Sequence, residues 1–180
     1  MVSISPNSES YDYSHMYNMG DNRGPAPLLL IDPNSIMGFL TMYNNFSKFA
    51  YIVRLARLES LFNDQQADVT LLLPSDSENN ISENMLKNMD ESTARSIVLF
   101  STINRKINYD LLSQSPAKYV FTQNTSNKLY IETFNNTTYL NNRQSQIIKP
   151  DILMNNGLIH IISNFLIPDS FINTGSYKQF

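Results

Sequence analysis

The clearest periodic pattern in the chain starts at Phe46. Phe46, Phe49, Val53 and Ala56, flanked by Ala50, Ile52, Leu55, Leu58, Leu61 and Phe62, recur at helical spacing up to Asn63-Asp64, which predicts the strongest helix. Arg54, Arg57 and Glu59 fall mainly on its wetter side and read as a solvated face. Ahead of it, Asp32-Pro33 predicts a short helix over residues 33–43, with Asp as the cap and Pro at the first helical position. Val69-Thr70-Leu71-Leu72-Leu73 is a short apolar run closed by Pro74, which suits a buried strand; Ser75 or Asp76 can then cap the next element. Residues 82–89 and 91–103 carry two further helical patterns, the second capped by Asp90, with Ala94, Ile97, Val98 and Phe100 or Ser101 on the inner face.

After Asn104 the texture changes to alternation: Tyr119 and Phe121, Leu129 and Ile131, Tyr139, Ile147 and Ile148, then Leu158 to Ile162 and Phe165 to Ile167. Asn-rich pairs punctuate these strands, and Asn156-Gly157 is a turn signal before the last apolar strand. Helices followed by a mostly antiparallel sheet make an α+β fold, without internal repeats.

Composition narrows the function more than it widens it. The 180 residues, 42% apolar, are enough for one core, and two domains would be cramped. A net charge of -3 and a pI near 5.3 argue against a phosphate-tracking surface, so nucleic acid is not an expected partner. The absence of cysteine removes thiol nucleophiles, disulfides and thiolate zinc sites, and two His, at positions 15 and 160, leave little for imidazole chemistry. Five glycines offer little material for a phosphate cradle, and Asp64, Asp68, Asp76, Glu78, Asp90 and Glu91 do not form a calcium loop. No catalytic residue, cofactor or metal is therefore predicted.

Ser3 to Pro27 is polar, with Tyr11, Tyr13 and Tyr17 interleaved, and reads as an extended arm within residues 1–31, flexible or ordered by a partner. Arg23 is the only Lys or Arg before Pro25, so no secretory signal is expected, and no apolar run is long enough to predict a membrane span. Asparagine stands at 23 positions, a bias that fits AT-rich codon usage of the kind found in some protists or large DNA viruses. Five sequons, at Asn45, Asn80, Asn124, Asn135 and Asn136, match the roughly four that this composition gives by chance and carry no information about secretion.

Three motifs in order resemble the fasciclin (FAS1) domain over residues 44–168. The family's opening helix, of the form FSxFxxLlxxagL, is similar to Phe46-Ser47-Lys48-Phe49 through Leu61. Its first motif, TvfaPtdeAF, is similar to Thr70-Leu71-Leu72-Leu73-Pro74-Ser75-Asp76. Its second, sNGviHvIdkvLlP, is matched closely by Asn155-Asn156-Gly157-Leu158-Ile159-His160-Ile161-Ile162 running on to Pro168. The resemblance implies helices wrapped on a β-wedge or sandwich, with an N-terminal arm and a lead-in at 32–43 before the domain and a tail at 169–180 after it. It implies adhesion, with contacts to cell-surface or matrix proteins, no enzymatic activity, and an extracellular or cell-surface location. Thr70, Pro74, Asn156, Gly157, His160 and Pro168 are then structural motif residues.

Members from animal matrix carry two elements implicated in integrin recognition, a Tyr-His pair after the middle helix and an Asp-Ile dipeptide before the second motif. Phe100-Ser101 occupies the first position, which is a departure. Lys149-Pro150-Asp151-Ile152-Leu153 resembles the family's EPDIM and NKDIL versions, so Asp151 and Ile152 are the candidate partner-binding pair. The plainer reading of the pair is a turn ahead of a strand, and that of His160 is a buried ring tied to backbone groups. Two alternatives to an adhesion module remain from the sequence. One is a structural or minor capsid component of a virus particle or other large assembly, with capsid-type or self contacts ordering the arm. The other is a carrier of a small apolar ligand. A glycan is a further possible partner of the adhesion surface.

Overall fold

The computed structural model describes residues 29–77 and 80–173. Most of the expected arm over 1–31, Glu78, and the end of the expected tail over 169–180 lie outside the described residues. The chain is α+β: a seven-stranded sheet with helices packed against one part of it. In order the elements are α1 (Ile36–Met42), a 3-10 turn (Asn44–Phe46), α2 (Ser47–Leu55), α3 (Glu59–Asn63), β1 (Val69–Pro74), α4 (Glu83–Asn88) and α5 (Glu91–Phe100). Then come β2 (Thr102–Ile103), α6 (Tyr109–Ser113), β3 (Ala117–Phe121), β4 (Lys128–Phe134), β5 (Thr137–Leu140), β6 (Ser145–Met154), β7 (Gly157–Ile162) and α7 (Asp169–Asn173).

The strands lie in the order β2-β1-β7-β6-β5-β4-β3. All neighbours are antiparallel except β1 and β7, which run parallel from Val69↔Gly157 to Pro74↔Ile162. All six residues of each of these two strands are buried, as a parallel pair covered on both faces requires. Leu71, Leu73, Ile159 and Ile161 face the helical layer, with Phe46, Phe49, Ile52, Ala94 and Val98 in the same cluster. Leu72 and Ile162 face the other way, into a second cluster with Leu129, Ile131 and Leu140 from β4 and β5. The sheet therefore curls round its own second core. Its ends meet where Gln123 N–H donates to the Thr102 carbonyl at 2.8 Å and Thr122 bridges Ile103.

Several local expectations change. The lead-in helix starts at Ile36 with Ser35 as its cap, because Asp32 instead closes a turn: its side chain accepts from Asn34 N–H and its carbonyl from Ser35 N–H. The long helix expected over 46–62 is broken. Leu58 N–H reaches back to the Val53 carbonyl and Arg57 N–H to Arg54, a helix-ending motif in which Arg57 takes a left-handed φ of 57° without being glycine. Asp76 does act as a cap, but backwards: its carboxylate accepts from Ser47 N–H, Ser47 Oγ and Lys48 N–H at the start of α2. Burial raises the Asp76 pKa, and those donors oppose the rise.

The helix expected to run to residue 103 stops at Phe100, since β-branched Thr102 and Ile103 pair with β1. Phe165 to Ile167 is buried but is no strand. Asn80 clamps Phe165 through both N–H and carbonyl, and Asn141 and Gln144 hold Ile167. The turn between β6 and β7 is more than a reversal. Asn156 is buried; its Oδ1 accepts from Ile36 N–H at 2.9 Å while its Nδ2 donates to the Phe62 and Asp64 carbonyls at 2.8 and 3.0 Å. A Cβ on Gly157 would lie 2.2 Å from the Val69 carbonyl oxygen, so only glycine lets β1 approach there.

Asn156→Ala should cost about 2–4 kcal/mol in urea unfolding, since three buried backbone groups lose their partner. Asn156→Asp should cost more, because an oxygen would then face two carbonyls. Equal stability of Asn156→Asp and the wild type would contradict this account.

Candidate functional site

The candidate site is the junction where β6 bends past β7. The register shifts between Lys149 and Ile152, so Pro150 and Asp151 form an irregularity in the strand, and Asp151 takes a φ of 60°. Asp tolerates that left-handed conformation better than most residues. His160, on β7, is completely buried beside this bulge. Its Nδ1 accepts from Asp151 N–H at 3.0 Å and its Nε2 lies 2.8 Å from the Ile107 carbonyl, which fixes the neutral tautomer with the proton on Nε2. Burial pushes the His160 pKa down, against the Ile107 hydrogen bond and the Asp151 charge, whose Oδ1 is 3.8 Å from Nδ1.

The segment that His160 holds is held a second time by Thr70. Thr70 Oγ1 donates to the Arg105 carbonyl and accepts from Ile107 N–H, both at 2.8 Å. That segment leads into α6, where Asn108 caps the helix and Tyr109 N–H donates to Asp151 Oδ1 at 2.9 Å. Thr70, His160, Ile107, Tyr109 and Asp151 thus form one hydrogen-bonded chain across three segments that are distant in sequence. Pro74 ends β1 opposite Ile162, and buried Pro168 opens the turn into α7, where its carbonyl accepts from Phe171 N–H.

The Asp-Ile pair splits. Asp151 leaves 43% of its side chain exposed, and the described residues give its Oδ2 no hydrogen bond. Ile152 is half-buried against the helical-side core, whereas Leu153 is 67% exposed. Asp151 and the exposed Leu153 therefore share the outward face, two residues apart as alternation along a strand requires, with Ile152 turned inward between them; the motif-based reading named Ile152 and missed Leu153. Tyr109 escapes sequence reasoning as well, since a five-residue helix is too short for periodicity to reveal; Asn108 before Tyr109-Asp110 is the signal that could have found it. Phe100 and Ser101, at the Tyr-His position, are both buried, so neither reaches a partner, and Ser101 Oγ has no hydrogen bond among the described residues. Among the described residues no three His, Asp or Glu gather as a metal-holding group, and no helix is long and apolar enough to cross a membrane.

The same span that forms this architecture matches the model of the fasciclin domain, residues 44–168, and the chain belongs to that family. Among solved structures it is similar to a FAS1 domain pair from the insect cell adhesion molecule fasciclin I, at 17% identity and a TM-score of 0.63. The likeness covers 76% of this chain and 51% of that one, so this chain spans about half its length. A search of curated proteins by sequence returns no match. Family match and fold agree on a fasciclin domain.

His160→Ala should remove about 2–4 kcal/mol, because Asp151 N–H and the Ile107 carbonyl lose their partner in a buried setting. Wild-type stability should also depend on pH through this ring. With the folded pKa below the unfolded value of about 6.5, the unfolded chain binds the proton first, so His160 contributes fully above pH ~6.5 and its contribution falls as the pH drops through the folded pKa. Urea midpoints from pH 8 to 5 should show that decline in the wild type and a shallower one in His160→Ala.

Proposed function

We propose that this chain is a non-enzymatic adhesion module that binds a protein partner on a cell surface or in a matrix through the exposed Asp151 bulge and neighbouring Leu153. The observation that carries the reading is the pairing of fold with junction. The chain has the fasciclin architecture, and at the position of the family's Asp-Ile element it presents a half-exposed carboxylate, one oxygen of which has no hydrogen bond among the described residues, beside an exposed leucine. A carboxylate next to an apolar side chain supplies one directional, charge-assisted contact and one area of burial. Tyr109 and His160 hold the carboxylate and its backbone in place before any partner arrives, which lowers the ordering cost of binding. The solved neighbour is described as a cell adhesion molecule, which fits this reading. Neither the family match nor that structure supports the capsid-type or ligand-carrier alternatives.

Asp151→Asn separates binding from folding, since Asn keeps an oxygen for Tyr109 N–H and also tolerates a left-handed φ. Attachment of cells or matrix proteins to the immobilised chain should fall about tenfold in Asp151→Asn and in Leu153→Ser, with little change in thermal melting. Wild-type attachment no better than that of a blank surface would overturn the adhesion reading. Full attachment by both variants would overturn the assignment to this bulge.

A further inference from the structure

A second surface lies at the far side of the sheet, on β3. β3 is the outermost strand, hydrogen-bonded to β4, and its continuation meets β2 at the Thr122–Ile103 bridge and the Gln123–Thr102 hydrogen bond. Before that bridge the two edges part. Between them is a cleft of about 480 Å³ whose walls include Ile103, Arg105 and Ile107 on one side and Tyr119, Val120 and Phe121 on the other. The ladder shows which backbone groups face it. Thr133 N–H donates to the Pro116 carbonyl, so in the same register Lys118 and Val120 bond to β4, while Ala117 and Tyr119 direct N–H and carbonyl groups outward.

Two aromatic side chains of this edge stand open to solvent. Tyr119 and Phe121 are 67% and 70% exposed on one face, beside Tyr130 and Lys128, with Lys128 Nζ 5.7 Å from the Phe121 ring centre. On the other face Lys118 donates to the Leu111 carbonyl and lies close enough to Arg105 to feel its charge. The ion pairs formed among the described residues leave Arg105, Lys118 and Lys128 without a carboxylate partner, and Glu132, opposite Ala117, is bonded to Arg143. Among the described residues, three cations without a carboxylate partner thus lie on or beside one strand edge, in a chain whose net charge is -3.

We propose that the open edge of β3 binds an extended acidic segment of a partner protein as an added strand. Its backbone pairs with Ala117 and Tyr119, its acidic residues meet Arg105 and Lys118, and its alternate apolar or aromatic residues lie on Tyr119 and Phe121. This deepens the adhesion reading and rests on it, and it names a partner chemistry and a surface distinct from the Asp151 bulge. An acidic strand is favoured over a simple polyanion because the edge offers outward backbone donors and acceptors in register with the cations. Lysine on an edge strand also guards against aggregation, but a guard has no preference for a particular added strand.

The probe is a fluorescent peptide of alternating Glu and Tyr, with a Lys-for-Glu version as control, titrated into the full-length chain and followed by anisotropy. Saturable binding of the acidic peptide is expected, at least about tenfold tighter than the control and weakening with salt. Tyr119→Pro removes an outward N–H that β4 does not use, and the Arg105→Glu, Lys118→Glu double variant reverses the charge; each should weaken binding about tenfold. No saturable binding below ~1 mM overturns the proposal. So does loss in the charge variant with full binding by a well-folded Tyr119→Pro, which marks a site for anionic polymers such as glycans. Wild-type self-association abolished by the same substitutions assigns the edge to a second copy and likewise overturns it. Surface attachment measured on the same proteins separates the failures: if attachment persists while the peptide does not bind, only the β3 assignment falls.

Discussion

The parallel pairing of β1 with β7 is the constraint on which the rest of the architecture depends. Two adjacent strands with every residue buried must be covered on both faces, yet a chain of this size has helices enough for one. The second face is covered by the sheet itself, which bends through β6, β5 and β4 until β3 comes back to β2. The bulge at Pro150-Asp151 lies in the middle of the longest strand, where a bent sheet needs its extra twist. The surface that displays Asp151 is therefore a by-product of closing the second core, and the stiffness of that surface comes from the same source.

Polar staples do what additional apolar area would do in a larger domain. Thr70 and His160 sit on the same side of the central pair, and both hold the strand-like segment between β2 and α6, a segment with few backbone partners of its own. Asn156 joins α1, α3 and the β6–β7 turn with one side chain, and Asn80 and Asn141 fix the run after β7. The abundance of asparagine, which composition alone attributes to codon usage, is put to structural use at these positions. Elsewhere it supports left-handed backbone, at Asn135 and Asn136 in the β4–β5 turn and at Asn141 and Asn142 before β6.

Much of this is legible in the sequence because it is local. The apolar run of β1 with its closing proline, the Asp90 cap of α5, the Asn156-Gly157 turn and the His-centred strand β7 each announce themselves within a few residues. The family motifs extend that reading to the whole domain. The features that escape depend on contacts between distant segments. Arg57 ends a helix by a conformation usually reserved for glycine, Asp76 caps a helix that precedes it, and α6 is too short to show a period. The motif singles out Asp151 and Ile152, but it shows neither the bulge beneath them nor the exposure of Leu153, because the register shift depends on pairing with β7.

The seating of Asn156 carries a chemical consequence as well as a mechanical one. An asparagine followed by glycine is the pair most prone to lose its amide nitrogen, through attack on the side-chain carbonyl by the backbone nitrogen of the next residue. Here the amide is out of reach of water and bound on both sides, with its nitrogen between two carbonyls and its oxygen on an amide hydrogen. The folded state thereby protects its own weakest covalent link. Once the turn opens the protection ends, and the aspartate that would form is a residue this seat has no means of accommodating. For this domain, time spent unfolded is converted into chemical damage that bars the way back.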